Sequence, residues 1–229
     1  MKSFTINEID LEIPRECLSP GVIDALNAGK YEHSEHSALK RNLVPDDRMV
    51  DLGAGAGYLC ATAARVVGGA NVLGVEANPL MATTARANLR RNGGGAGRVL
   101  HGTVVPDSFI GDQQRFLVGR PFWGGHVVAD GEADHPFHVQ VPAIRISTIM
   151  ADLRPTLVMM DIEGAEADLA GYVWPDHVRM VVLEIHARRY PAAVLNSIFT
   201  GFFDAGFTYK PWGSRGQTLI FERVVELPF

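Results

Sequence analysis

The stretch Met49-Val50-Asp51-Leu52-Gly53-Ala54-Gly55-Ala56-Gly57-Tyr58 decides the fold. Four residues of buried-strand character run directly into alternate glycines, and a helix with Leu59, Ala63 and Val66 on one face is expected to follow. A strand that turns through glycines into a helix brings free backbone N–H groups and a positive helix end to one edge, where a ligand can approach the backbone closely. Residues 71–76 then read as a second strand, and its last residue, Glu76, is an acid 25 positions after Asp51. A carboxylate there can accept from two ribose hydroxyls at once.

The same alternation continues outward on both sides. Asn78-Pro79 supplies a cap and a prefixed first helical position, residues 80–91 form a helix carrying Leu80, Thr84, Ala85 and Leu89, and Asn92-Gly93 ends it. Residues 98–105 are a third strand. After an irregular region the rhythm returns, with a strand over 157–162, a helix over 163–171, a strand over 179–185 and a helix over 191–203. Residues 207–209 and 218–223 read as a terminal antiparallel pair. Repeated strand–helix units imply an α/β fold with a mostly parallel sheet covered by helices. Before it, residues 1–45 form an N-terminal cap with a strand over 9–13 and helices over 20–26 and 33–43, and residues 46–229 form the main domain. The glycine- and proline-rich segment 107–142 is expected to be an antiparallel excursion, a lid or specificity insertion.

Composition narrows the class. Of 229 residues 47% are hydrophobic and 21% charged, so the chain can bury a core and is not generally disordered. A net charge of −5 disfavours a broad nucleic-acid footprint. Cys17 and Cys60 form no zinc spacing and no disulfide framework. No apolar run is long enough to span a membrane, and the N-terminal residues lack a secretory pattern, so a cytoplasmic protein is expected. Homo-oligomer formation is compatible with the sequence, which supplies no interface.

A GxGxG run is weak evidence in isolation. Here Tyr58 stands where a dinucleotide fold places its third glycine, and no Gly-Lys-Ser/Thr follows, so neither a nicotinamide site nor a phosphate loop is favoured. Asp51 can bind loop N–H groups or face a positively charged cofactor such as S-adenosylmethionine. A structural turn is the alternative. The second chemical signal is Asp161-Ile162-Glu163-Gly164-Ala165-Glu166 at the end of a buried strand. Asp161 and Glu163 point the same way in an extended chain, toward one hydroxyl-bearing substrate or one metal ion, whereas Glu163 and Glu166 can equally cap a helix. Glu184-Ile185-His186 ends the next strand; His186 is the best-placed general base, with Glu184 orienting it, and a structural histidine is the competing assignment. His135 and His138 flank Phe137 in the irregular region and are read as surface residues, with lid residues as the alternative.

Together these stretches, with Tyr31-Glu32 to the N-terminal side, Gly74-Val75-Glu76-Ala77-Asn78-Pro79, Asn88, and Leu183-Glu184-Ile185-His186, resemble the FkbM-like family of S-adenosylmethionine-dependent methyltransferases. The resemblance spans about residues 31–222. It implies a Rossmann-like methyltransferase sandwich, a cofactor site lined by Asp51, Gly53, Gly55, Gly57, Glu76 and Asn78, and a reaction zone at Asp161 and Glu163. It implies methyl transfer to a hydroxyl of a small molecule, sugar or glycolipid. The chain departs from the family at Met159, where lysine is frequent, and at Gly55, where asparagine is frequent. An amine or guanidinium acceptor held by Glu32 or Glu163 is the alternative, and a non-catalytic adenosine-binding module is a further one. Asp161 and Glu163 are suitable magnesium ligands without an assured third, so a metal-free route is favoured over a magnesium-assisted one.

Overall fold

The computed structural model describes residues 1–129 and 131–225. The chain begins with a hairpin of β1 (Lys2–Ile6) and β2 (Ile9–Ile13), turned by Asn7 and Glu8 in the left-handed region, the geometry that matches strand twist in a two-residue turn. Helices α1 (Pro20–Asn27) and α2 (His33–Asn42) follow. Alternating units then run β3 (Met49–Leu52), α3 (Tyr58–Val67), β4 (Val72–Glu76), α4 (Pro79–Arg91) and β5 (Arg98–His101). The irregular region holds β6 (Thr103–Val105), β7 (Gln113–Leu117), β8 (His126–Val127) and β9 (His138–Arg145). Next come α5 (Ile146–Leu153), β10 (Leu157–Met160), β11 (Met180–Glu184), α6 (Ala192–Asp204), β12 (Phe207–Tyr209) and β13 (Thr218–Arg223).

The main sheet has seven strands in the order β12-β13-β11-β10-β3-β4-β5. Its β11, β10, β3, β4 and β5 are parallel, and β13 and β12 add an antiparallel edge. Strand β3 lies between β4 and β10, so the chain order diverges on its two sides and a crevice opens at the carboxyl ends of these strands. Alternate side chains feed two cores. Met49, Met159 and Val182 face a core shared with the N-terminal hairpin and α1 to α4, whereas Val50, Val158 and Leu183 face α5 and α6. No helix among the described residues is long and apolar enough to cross a membrane.

Three expectations are corrected. The strand expected over 98–105 divides at Gly102, where a Cβ would lie 2.5 Å from Pro142 O; β5 continues the main sheet and β6 pairs with β9 in a second, four-stranded sheet. The helix expected over 163–171 is reduced to a 3-10 turn, Ala165–Leu169, because Glu163 and Gly164 are both left-handed (φ 55° and 108°) and cannot begin an α-helix. Val66 and Leu80, assigned to buried helix faces, are 48% and 39% exposed; Cys60, Val67 and Met81 are buried in their helices instead.

Candidate active site

The glycine turn forms the floor of a cavity of about 580 Å³, within the range of small-molecule sites. Gly53 N and Ala54 N both donate to Val75 O at 2.9 Å, which folds the turn back against the end of β4. A Cβ at Gly53 would lie 1.8 Å from Asp161 O, and one at Gly55 would lie 2.8 Å from Tyr31 Oη. Both glycines are left-handed, so a side chain is excluded by backbone conformation as well as by space. Glu76 lines the same cavity; its two oxygens accept from Gly55 N and Asn78 N, each at 2.7 Å. Burial pushes the Glu76 carboxyl up to about 7 against the pull of these backbone donors.

The other residues expected around a cofactor stand further back. Asp51 is buried under the turn, where it accepts from Cys60 Sγ at 3.3 Å, and burial pushes it up to about 7. Asn78 caps α4 by accepting from Leu80 N and Met81 N, and its Nδ2 is buried without a partner. Gly57 lies outside the cavity lining: a Cβ there would be 2.9 Å from Ala85 Cα, so this glycine permits α3 and α4 to pack together. That is the helix-packing task for which the sequence offered no third glycine at position 58.

Beside the turn, the ends of β10 and β11 bring together Asp161, Glu163, Glu184 and His186. His186 Nε2 lies 3.5 Å from Asp161 Oδ1 and 3.4 Å from Glu163 Oε2. Its Nδ1 lies 3.1 Å from Glu166 Oε1, on a side chain with no exposure to solvent. Arg189 donates to Glu163 Oε2 at 3.0 Å. Burial lowers the His186 pKa, but the Glu166 hydrogen bond and the charges of Glu166, Glu163 and Glu184 outweigh it, and the net direction is upward. Asp161 is held well above the usual carboxylate range by burial and then by Glu184, Glu163, Glu32 and Glu166. Burial likewise raises Glu163, and burial followed by the charge of Glu35 raises Glu184.

Glu32 enters the cavity from the N-terminal segment and is pushed well above the usual range by burial and by Asp51. It stands at the left-handed residue that precedes α2, which begins at His33 as the sequence predicts. Phe116 and Val127 of the second sheet, with Phe122 and Trp123 from the 3-10 turn between β7 and β8, supply an apolar wall. Tyr31 and these aromatics were not found as site residues from the sequence, because nothing local marks them; only the fold sets them beside the turn. Glu166 carried a signal, its fixed spacing from Asp161 and Glu163. Asp161, Glu163 and His186 each offer one ligand atom, all within 4.8 Å of one another, so the third donor missing from the sequence argument for a divalent ion is His186.

The arrangement pairs a glycine-backed cradle and the buried acid Glu76 with an acidic, histidine-containing end, beside an aromatic wall. The model of the methyltransferase FkbM domain matches residues 51–209. The ribosomal protein L11 methyltransferase of Thermus thermophilus is 42% identical over 84 residues, 36% of this chain and 31% of that protein, so the chain spans about a third of the length of the curated relative it matches. Among solved structures, a protein from Pyrococcus horikoshii is 12% identical with a TM-score of 0.50, covering 96% of this chain and 69% of that one. M. jannaschii TYW2 in complex with AdoMet is 13% identical with a TM-score of 0.48, covering 97% and 86%. At such identities a structural likeness speaks of fold alone.

Proposed function

Since the chain belongs to the FkbM methyltransferase family, whose cofactor is S-adenosylmethionine, we propose that it transfers a methyl group from that donor to a hydroxyl of a small molecule, sugar or glycolipid. The cavity residues fit the donor. Gly53 and Gly55 leave the space that side chains would fill, Glu76 is set to hold ribose hydroxyls, and the carboxylates of Glu32 and Asp161 face the cavity that a cationic ligand would occupy. Asp51 acts from beneath the turn, and Asn78 acts by fixing the start of α4. When bound, the donor supplies a methyl group already activated by a positive sulfur.

The enzyme's remaining work is alignment, exclusion of water and removal of one proton. The observation that carries the hydroxyl assignment is the His186 Nε2 edge, directed at Asp161 and Glu163 on the cavity surface. As the acceptor oxygen takes the methyl, its proton passes to Nε2, leaving a neutral sulfur and an imidazolium stabilised by neighbouring carboxylates. Asp161 and Glu163 orient the hydroxyl. Glu184 and Glu32 bind polar groups of the acceptor, and the aromatic wall covers its apolar face. No divalent ion is needed for this route, because His186 itself takes the proton.

A second reading has an amine or guanidinium acceptor, and the acids Glu32, Glu163 and Glu184 favour it through charge-assisted hydrogen bonds. Transfer of labelled methyl groups to matched panels of alcohols and amines separates the two. Labelling of alcohols, lost in folded His186→Ala and unaffected by chelation, is the expected result. Labelling confined to amines overturns the hydroxyl assignment, and activity lost on chelation and restored by magnesium overturns the metal-free route.

A further inference from the structure

We propose that Glu166 is the positioning residue of this site, holding the His186 proton on Nδ1 so that the Nε2 lone pair faces the acceptor. The proposal rests on His186 being the proton acceptor of the reaction just described. Glu166 never reaches the cavity lining, so its contribution passes through the imidazole.

The geometry assigns the proton. An ionised carboxylate only accepts, so Nδ1, which meets Glu166 Oε1 in a hydrogen bond of 3.1 Å, donates to it. Nε2, at 3.5 and 3.4 Å from Asp161 and Glu163, makes no hydrogen bond to either. Glu166 Oε1 already accepts from Ile162 N at 3.2 Å, and the side chain is enclosed entirely, so it has no solvent partner to exchange for the ring. On the other side, His186 N donates to Tyr190 Oη at 3.1 Å, which fixes the backbone from which the ring projects. With Nδ1 committed, Nε2 is left between Asp161 and Glu163. The two residues come from different elements: Glu166 from the turn after β10, and His186 from the end of β11, whose register with β10 sets Met160 beside Leu183. Glu166 therefore couples the two strand ends as well as selecting a tautomer, as outer carboxylates do for catalytic histidines.

The charged groups facing His186 are Asp161 and Glu163 from the loop after β10, Glu166 from the 3-10 turn, Glu184 from β11, and Arg189 through Glu163. Removing the Glu166 charge while keeping its shape replaces an acceptor-only group by an amide that can donate or accept, so the proton of neutral His186 is no longer fixed on Nδ1. A residue that only bound the two strand ends together would leave the ring's tautomer unchanged.

The test is nitrogen-15 NMR of histidine-labelled full-length protein, with the His186 signals identified by their loss in His186→Ala. Wild-type protein should show neutral His186 as the Nδ1–H tautomer. Folded Glu166→Gln should mix the tautomers, because an amide can donate or accept, whereas Glu166→Asp, which keeps an acceptor-only carboxylate, should retain more of the Nδ1–H form. An Nε2–H tautomer in the wild type overturns the proposal without any variant, and an unchanged tautomer in folded Glu166→Gln does so as well. A full methyl-transfer rate in folded His186→Ala would instead remove the histidine-base function, while the tautomer read by NMR still reports what Glu166 does to the ring.

Discussion

At the scale of single residues, the glycine turn and its buried acids make separate demands. Gly55 is left-handed (φ 50°), and a Cβ there would crowd Tyr31 Oη at 2.8 Å and Glu32 Oε1 at 3.4 Å. Gly55→Ala should cost about 1–2 kcal/mol in backbone strain and lower donor affinity at least ~10-fold, which corresponds to about 1.4 kcal/mol. Calorimetry with S-adenosylmethionine on the folded variant checks this; wild-type affinity would remove Gly55 from the cofactor site. Asp51 makes the complementary case. Burial pushes both Asp51 and Glu76 up to about 7, whereas in the unfolded chain such groups titrate near ~4. Between these values the folded protein holds more protons than the unfolded one, so stability falls as pH rises from ~4 to ~7 and levels off above. Asp51→Asn should flatten this slope by about one proton. Urea unfolding at a series of pH values measures it, and a slope equal to wild type would show that Asp51 ionises freely in the folded protein.

At the scale of elements, the central strands were legible because β3, β4 and β10 are runs of four or five residues buried on both faces. The turn that follows β3 was legible for the same reason, since three alternate glycines after such a run have few other uses. What the periodicity missed was set by contacts distant in sequence. Gly102 divides an apparently continuous strand because the Pro142 carbonyl occupies the space beside it, and Glu163 delays a helix because it turns left-handed toward Arg189. Hairpin strand β1 was not foreseen, since its pattern of two buried residues is short and gains its partner only in β2. Close packing of this kind also governs α6. A Cβ at Gly201 would stand 1.6 Å from Ala170 O, so α6 lies against the segment that follows the 3-10 turn with no room for a methyl group. Gly201→Ala should destabilise the fold by about 1–3 kcal/mol, despite alanine's higher helix propensity. Thermal unfolding decides between the two effects, and an unchanged or raised midpoint would mean that α6 moves away without cost.

Across the whole molecule, the site is assembled from three regions that the sequence presents separately: the N-terminal segment with Tyr31 and Glu32, the sheet edge with its acids and His186, and the excursion with Phe122 and Trp123. Only the second of these was legible in full, because its residues sit at strand ends, where the α/β pattern itself predicts a ligand. The N-terminal hairpin lies outside residues 51–209, yet Asn88 ties it to the glycine turn. Asn88, fully buried on α4, accepts from Glu12 N at 2.9 Å and donates to Glu12 O at 3.2 Å and to Ala56 O at 2.9 Å. Asn92 makes the analogous pair with Asp10 N and O but does not touch the turn. Asn88→Ala leaves several buried backbone groups without partners and should cost about 2–4 kcal/mol; Asn92→Ala should cost less. The difference between them is functional as well as energetic, because only Asn88 carries the position of the hairpin to Ala56. At a temperature where both variants are folded, Asn88→Ala should weaken donor binding several-fold while Asn92→Ala leaves it near wild type. Equal affinities in the two variants would show that the hairpin supports the fold without setting the shape of the cofactor turn.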